Sequence, residues 1–329
     1  MQFRKIGNSG INASVVALGT WTIGGGSFWY EVGEQESVKI IHAALDAGVN
    51  LIDTAPLYGF GRAEETVGKA LKDRRGKAII STKGGLWWKD GRGAPFFQID
   101  GKKVNKCLRP ETLREELEVS LKRLGTDYID VYHTHWQAEA PDKTPIAETM
   151  GFLMKCKQEG KIRSIAVSNA SPEQMDEYLA QGPIDANQPH YSMLARDIEK
   201  DLIPYCIERN IAILSYSTLE NGILSGKIGM NTKLGDKEYR SGVSWYKPDN
   251  RGRVLDMLAQ WNDLTEKYNC TTAQLVIAWT FHQPGITHCL CGARHAGQAE
   301  QNAAAGGLTL AEADILRMTD DIDALGQPL

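Results

Sequence analysis

The chain has 329 residues, 42% of them hydrophobic, which is enough to bury a large core and is a common length for a single α/β barrel, so one domain over 1–329 is expected. Lys and Arg number 37 against 41 Asp and Glu, a formal net charge of -4 with no long basic run, and a nucleic acid partner is therefore not expected. No segment has the apolar length of a membrane span and MQFRKIGNSGINASVV lacks a signal-peptide core, which points to a cytoplasmic protein without a membrane partner.

From the N-terminus, FRKIG and INASVV read as a short hairpin. Strand-length apolar segments then alternate with amphipathic ones to the end of the chain. Strands are predicted at 15–19, 50–54, 78–83, 128–135, 162–168, 186–188, 211–216 and 287–291. Helices are predicted at 35–47, 63–72, 110–124, 146–158, 172–180, 198–208, 272–282 and 297–304. Ser171 before Pro172 is a start signal, because Pro in the first helical position loses no hydrogen bond.

Eight βα units predict a closed (β/α)8 TIM barrel. The rival is an open doubly wound sheet, which needs a glycine-rich turn leading at once into a helix. Here LGTWTIGGG runs into SFWYEVGE instead, and the open sheet is set aside. Two segments, 86–109 after the third strand and 219–253 after the seventh, exceed ordinary loop length and are expected to border the catalytic face. The tail, 309–325, reads as a further helix with Leu310, Ile315, Leu316 and Ile322 on its apolar side. The six cysteines are scattered, and the one close pair, Cys289 and Cys291, lacks a second pair at metal-ligand spacing, so reduced thiols and no metal are expected.

Polar side chains at the C-terminal ends of barrel strands are candidates for catalysis. Four stand out: Asp53, Tyr58, Lys83 and His135. Singly each has an ordinary structural explanation; together they form an acid/base device. Reducing a carbonyl requires a hydride on carbon and a proton on oxygen, and a Tyr of ordinary pKa, about 10, is a poor proton shuttle near neutrality. An adjacent Lys83 ammonium is expected to lower that pKa, with Asp53 holding the ammonium and His135 orienting the carbonyl oxygen. His133, two residues before His135, faces the same side of its strand and is expected to be a packed core histidine.

With these residues in view, the chain is identified as resembling the aldo-keto reductase superfamily. The likeness runs from LGTWTIGG through LIDTAPLYGFGRAEETVGKAL, ISTKGG, SLKRLGTDYIDVYHTHWQ, GKIRSIAVSNAS, NQPHYSMLAR and LSYSTLENGILSGK to GARHAGQAEQNAAA. It implies a barrel that binds NADPH or NADH without a Rossmann fold and uses Asp53, Tyr58, Lys83 and His135 as its catalytic tetrad. It also implies that Ser168, Asn169 and Gln188 hold the nicotinamide carboxamide, that the ring stacks on Tyr216, and that Gly19, Thr20 and Trp21 border the same site. Ser217, Leu219, Gly222, Ser225 and Lys227 match the segment around the pyrophosphate, and Gly292, Arg294, Gln298 and Asn302 the adenosine half. A guanidinium suits a 2′-phosphate, so Arg294 favours NADPH.

Three residues depart from the family pattern: Gln137 and Thr218, where Pro is common, and Glu220, where a small residue is common and whose carboxylate is expected to face away from a pyrophosphate. Trp21, Phe28, Trp29, Tyr30, Trp87, Trp88 and Trp136 fall on segments predicted at the mouth. Trp21, Trp29, Tyr58, Trp87, His135 and Trp136 are the expected substrate contacts. The motif variants look closest to bacterial reductases of the inositol-catabolism and general-stress type; the mouth aromatics could stack sugar rings or enclose an apolar aldehyde, and together with Asn, Gln and His nearby they favour a sugar- or polyol-derived aldehyde or ketone as substrate. The alternatives are oxidation of a sugar or polyol and a coenzyme-binding regulatory subunit.

Overall fold

A strand that is apolar on both sides needs cover on both. In the computed structural model, which describes residues 1–26, 32–235 and 239–329, eight such strands meet that need by closing into a parallel barrel. They are β1 (Val16–Gly19), β2 (Leu51–Asp53), β3 (Ile79–Gly84), β4 (Ile129–Thr134), β5 (Ile162–Ser168), β6 (Ala186–Gln188), β7 (Ala212–Ser215) and β8 (Ile286–Gly292), paired in chain order with β8 returning to β1. The (β/α)8 expectation holds, and every predicted strand lies within two residues of its observed limits.

Side chains of the barrel strands alternate between two cores. Ala17, Leu51, Val131, Ala166, Ala186, Ala212 and Leu214 fill the interior, while Ile52, Ile80, Ile165, Val167 and Ile213 pack outward against the helices. The N-terminal hairpin, Phe3–Lys5 with Asn12–Ser14, sends Ile6 and Ile11 into the interior core. It closes the end of the barrel opposite the strand C-termini, and Gly7 lies so close to Asp185 that a Cβ there would sit 2.2 Å from its carbonyl oxygen.

Seven of the eight predicted barrel helices fold nearly as read. The helix expected at 198–208 divides into a 3-10 turn, Asp197–Glu199, and a helix, Leu202–Glu208. Pro204 is the reason: it has no N–H to donate and its ring clashes with the carbonyl four residues earlier, so it is accommodated only in a first turn.

The segment 86–109 is a small antiparallel sheet rather than a loop. Its strands are Leu86–Trp87, Ala94–Ile99 and Lys102–Lys106, the last in the middle. Asp100 (φ 49°) and Gly101 (φ 75°) make the tight turn, and the Asp-Gly pair between them was a readable hairpin signal. Among the described residues of 219–253, Glu220–Ser225, Tyr239–Gly242 and Ser244–Tyr246 are 3-10 turns, and a helix, Pro248–Ala259, begins. Arg251 clips this segment, donating to the carbonyls of Tyr246, Met230 and Thr232.

The tail helix, Glu312–Leu325, buries Met318, Ile322 and Leu325 at three- and four-residue spacing. Leu316 is one position off that stripe and is 56% exposed, correcting its assignment to the apolar side. Trp261 and Trp279 fasten this helix by donating to Asp321 and Thr319. Among the described residues no helix is long and apolar enough to cross a membrane, and no cluster of three or more His, Cys, Asp or Glu is placed to hold a metal ion.

Candidate active site

The C-terminal ends of β2, β3 and β4 bring the four predicted residues together. Register sets Asp53 level with Ser81, and Lys83 level with His133. Lys83 is 0% exposed, and its Nζ donates to Asp53 Oδ2 (2.6 Å) and to the Thr54 carbonyl (2.8 Å). Such a pair tolerates burial because each charge has its partner and further hydrogen bonds. Asp53 Oδ1 accepts from Ser81 Oγ (2.8 Å) and, across the barrel, from Gln188 Nε2 (2.9 Å).

Tyr58 is placed by close contact between two backbone segments. Gly59 (φ 63°), Phe60 (φ 53°) and Gly61 (φ 106°) turn left-handed in succession. Gly59 lies against Gly24, where an added Cβ would come 2.1 Å from the Gly24 oxygen, and Arg62 Nε donates to that oxygen (2.8 Å). The glycine run after β1 thus serves as a packing surface for the Tyr58 turn. The Tyr58 ring stands 5.0 Å from Lys83 Nζ, 6.0 Å from the His135 ring, edge to face, and 6.5 Å from Trp21.

The electrostatics correct one expectation. Burial, and then the Asp53 carboxylate, push the Tyr58 hydroxyl well above its ordinary value, outweighing the pull of the Lys83 ammonium. Burial lowers Lys83 against the opposing pull of Asp53. Burial, and then Lys83, hold His135 well below its ordinary value, so its imidazole is neutral. His133 is a core histidine as expected, held down to about 4 by burial and Lys83.

Ser168, Asn169, Gln188 and Tyr216 form one connected group. Ser168 Oγ donates to the Gln188 carbonyl (2.7 Å), Asn169 Nδ2 to the His135 carbonyl (3.3 Å) and Ser168 Oγ (3.0 Å), and Tyr216 O–H to Asn169 Oδ1 (2.9 Å). His190 stacks on Tyr216 at 5.3 Å and 8°. Glu220 is 5% exposed; its Oε2 accepts from Ser192 Oγ (2.5 Å) and pairs with His190 Nε2 (3.1 Å), so the carboxylate turns into the protein. His190 and Ser192 lie within NQPHYSMLAR, but nothing in that string showed their support for Tyr216.

The departures from the family pattern have structural uses. Gln137 bridges Thr134, the Ser168 carbonyl and Tyr178 O–H. Thr218 donates to the Leu290 carbonyl, joining the exits of β7 and β8. In the loop after β7, Ser217, Glu220, Asn221 and Gly222 have positive φ, Leu219 packs on the core, Ser225 Oγ donates to the Gly222 carbonyl, and Lys227 is exposed. After β8, Asn302 Nδ2 donates to the Gly292 carbonyl and Gln298 accepts the Arg294 N–H, while the Arg294 side chain is exposed.

The mouth aromatics are only partly where the sequence placed them. Trp136 packs on Phe96 (5.1 Å) and Trp88 on Phe60 (5.3 Å). Trp87 is 1% exposed, its indole N–H donating to Asp90, and it anchors the small sheet instead of facing the mouth. Phe28, Trp29 and Tyr30 lie outside the described residues. The sheet spans the mouth: Lys106 lies over Phe96 and Trp136 at one side, and Lys102 lies 3.9 Å over Phe60 at the other.

A polar ligand has fitting contacts at this end of the barrel. Thr20 Oγ1 and Thr54 Oγ1, at the exits of β1 and β2, are buried without a hydrogen-bond partner, a state native structures rarely keep. Together with the exposed Lys227 and Arg294 beyond β7 and β8, they suit an extended, anionic, amide-bearing group such as a nicotinamide dinucleotide.

A closed parallel barrel with this acid/base cluster at the strand exits is the frame of a carbonyl oxidoreductase. Residues 15–323 match the Aldo/keto reductase family model, and the chain belongs to that family. It is 40% identical over 322 residues, 97% of this chain and 98% of the other, to the NADH-specific methylglyoxal reductase of Escherichia coli. It is 38% identical to an aldo-keto reductase of Bacillus subtilis, over 95% of this chain and 91% of that one. Among solved structures, the glycerol dehydrogenase of Gluconobacter oxydans superposes with a TM-score of 0.87 at 37% identity, covering 99% of this chain and 96% of that one. An aldo/keto reductase from Klebsiella pneumoniae, in complex with NADP and acetate, superposes with a TM-score of 0.70 at 26% identity, covering 98% and 95%.

Proposed function

We propose that the chain is a nicotinamide-dependent reductase of small aldehydes and ketones in which Tyr58 gives the proton to the carbonyl oxygen. The observation that carries this is the buried Asp53–Lys83 pair beside Tyr58, with a neutral His135 at the ring edge. A hydroxyl held protonated is the form a general acid needs, and a neutral imidazole can offer an N–H to the carbonyl oxygen without competing for the proton. As charge develops on that oxygen, Tyr58 releases its proton to it, and Lys83 stabilises the phenolate left behind. When bound, the coenzyme supplies the hydride that reaches the carbonyl carbon.

The residues that would hold it are Gly19, Thr20 and Trp21; Ser168, Asn169, Gln188 and Tyr216 at the nicotinamide; Ser217, Leu219, Gly222, Ser225 and Lys227 at the pyrophosphate; and Gly292, Arg294, Gln298 and Asn302 at the adenosine. NADPH is the proposed coenzyme, because the exposed Arg294 guanidinium has no ion-pair partner among the described residues and suits a 2′-phosphate. The NADH-specific Escherichia coli relative favours the second reading, NADH. Trp21, Trp136 and the sheet over the mouth would exclude water from a compact substrate. The methylglyoxal and glycerol named for two relatives are three-carbon oxygenated molecules, in keeping with a sugar- or polyol-derived carbonyl here.

A screen of coenzyme oxidation over methylglyoxal, glyceraldehyde, ketoses and aromatic aldehydes tests the substrate class; turnover confined to aromatic aldehydes would reject it. Tyr58→Phe is expected to lower kcat by about 10²–10⁴-fold with coenzyme binding retained. A variant keeping most of its activity rejects the proton-donor role. Arg294→Ala should raise the KM for NADPH at least about tenfold and leave that for NADH nearly unchanged, the loss of one charge-assisted contact; equal effects on both remove Arg294 as the ground for NADPH.

A further inference from the structure

Inside the barrel, beneath the tetrad, lie two polar groups that the proposed chemistry leaves unused. Ser81 and His133 are both 0% exposed, among interior neighbours that include Leu51, Val131 and Ala166. Polar side chains there are unfavourable unless hydrogen-bonded. Ser81 Oγ donates to Asp53 Oδ1 (2.8 Å) and lies 3.0 Å from His133 Nε2, while His133 Nδ1 is 3.3 Å from the Val167 carbonyl oxygen.

These distances constrain the protons. A neutral imidazole has one N–H. If Ser81 gives its proton to the Asp53 carboxylate, its oxygen can only accept from His133, which must then carry its proton on Nε2. If His133 instead donates from Nδ1 to Val167, Nε2 takes the Ser81 proton and Asp53 loses that donor. A carboxylate is the stronger acceptor, and the Nδ1 contact is the longer of the two, so the first arrangement is favoured.

We propose that Ser81 and His133 are positioning residues for proton transfer: His133 Nε2–H turns the Ser81 hydroxyl onto Asp53, and the carboxylate so held keeps Lys83 charged and in place beside Tyr58. Neither touches the reacting atoms. The other charged or titratable groups around the pair are Asp53, Lys83 and His135, with Tyr58 above and Glu64 acting on Lys83 from the helix Arg62–Leu71. The proposal rests on Tyr58 being the proton donor, and its first test does not depend on turnover.

Nitrogen-15 NMR of histidine-labelled protein, with His133→Asn to assign the signal, should show His133 protonated on Nε2; protonation on Nδ1 overturns the proposal. In kinetics with methylglyoxal as the probe, Ser81→Ala should lower kcat about tenfold with little change in KM, the worth of one hydrogen bond to a charged group. Ser81→Thr, which keeps the hydroxyl, should recover most of that loss. Because His133 acts only through Ser81, the double variant Ser81→Ala/His133→Leu should be no slower than Ser81→Ala alone. Additive losses, or equal losses in Ser81→Ala and Ser81→Thr, assign the pair to packing. Failure of the Tyr58→Phe result with an Nε2–H tautomer still observed would reject the functional reading and leave the hydrogen-bond assignment standing.

Discussion

Lys83 and Asp53 form the most consequential pair in the molecule, because both are enclosed and each makes the other tolerable. Removing one partner leaves a buried unpaired charge, which typically destabilises by about 3–5 kcal/mol. Lys83→Met is therefore expected to lower the melting temperature by more than Asp53→Asn/Lys83→Met, in which neither charge remains; thermal unfolding of both variants checks the order. The four tetrad residues were legible in the sequence since each ends or follows a strand that periodicity had already marked. The inward turn of the Glu220 carboxylate agrees with the expectation that it faces away from a pyrophosphate, whereas the roles of Ser81 and His190 were not legible, since they depend on contacts between separate segments of the chain. The net lowering of the Tyr58 pKa expected from Lys83 fails for a related reason: the Asp53–Lys83 pairing was readable, whereas the enclosure that outweighs it was not.

At the scale of elements, the Tyr58 turn shows how short motifs meet. Neither YGFG nor IGGG signals the other in the sequence; in the structure Gly59 and Gly24 each lack the Cβ that would keep the two backbones apart. Gly59→Ala combines a positive φ with a clash against the Gly24 carbonyl. It should destabilise by at least about 1 kcal/mol and reduce kcat far more than it weakens coenzyme binding, measurable by unfolding and coenzyme fluorescence titration. The sheet over the mouth was missed although its Asp100-Gly101 turn was present, because the alternation around it is short and interrupted by Lys and Pro. Helices 110–124, 146–158 and 272–282 were placed correctly, each being long, amphipathic or strongly apolar, and bounded by Pro, Gly or a capping Thr.

The whole molecule carries buried titratable groups whose contributions to stability have opposite signs. Burial holds His133 and His288 down to about 4, from 6.5, and holds His135 well below 6.5. Unfolding lets these histidines take up protons between 4 and 6.5, so stability falls as the pH drops through that window. Glu116, which accepts the Gly85 N–H behind β3, is pushed up to about 8 from 4.5 by burial. Its neutral form is favoured in the folded state, so that contribution is complete below 4.5 and is lost as the pH rises through 8. Three histidines outweigh this one carboxyl on the acid side, and Glu116 acts alone of these between 6.5 and 8. The melting temperature should therefore peak near neutrality and fall on both sides. Glu116→Gln should flatten the alkaline limb and steepen the acid limb above 4.5, where the histidines are then unopposed by it; an unchanged alkaline limb would exclude Glu116 as its cause.

By itself the sequence determined the barrel, because eight alternations of strand and helix period have few other ways to bury both faces of every strand, and it picked out Asp53, Tyr58, Lys83 and His135, which the structure brings together at neighbouring strand ends. Only the tertiary structure decided which hydroxyls and carboxylates meet inside that barrel, that Trp87 is an anchor, and that enclosure raises the Tyr58 pKa. Those outcomes depend on enclosure and on distances between remote segments, and a linear pattern encodes neither.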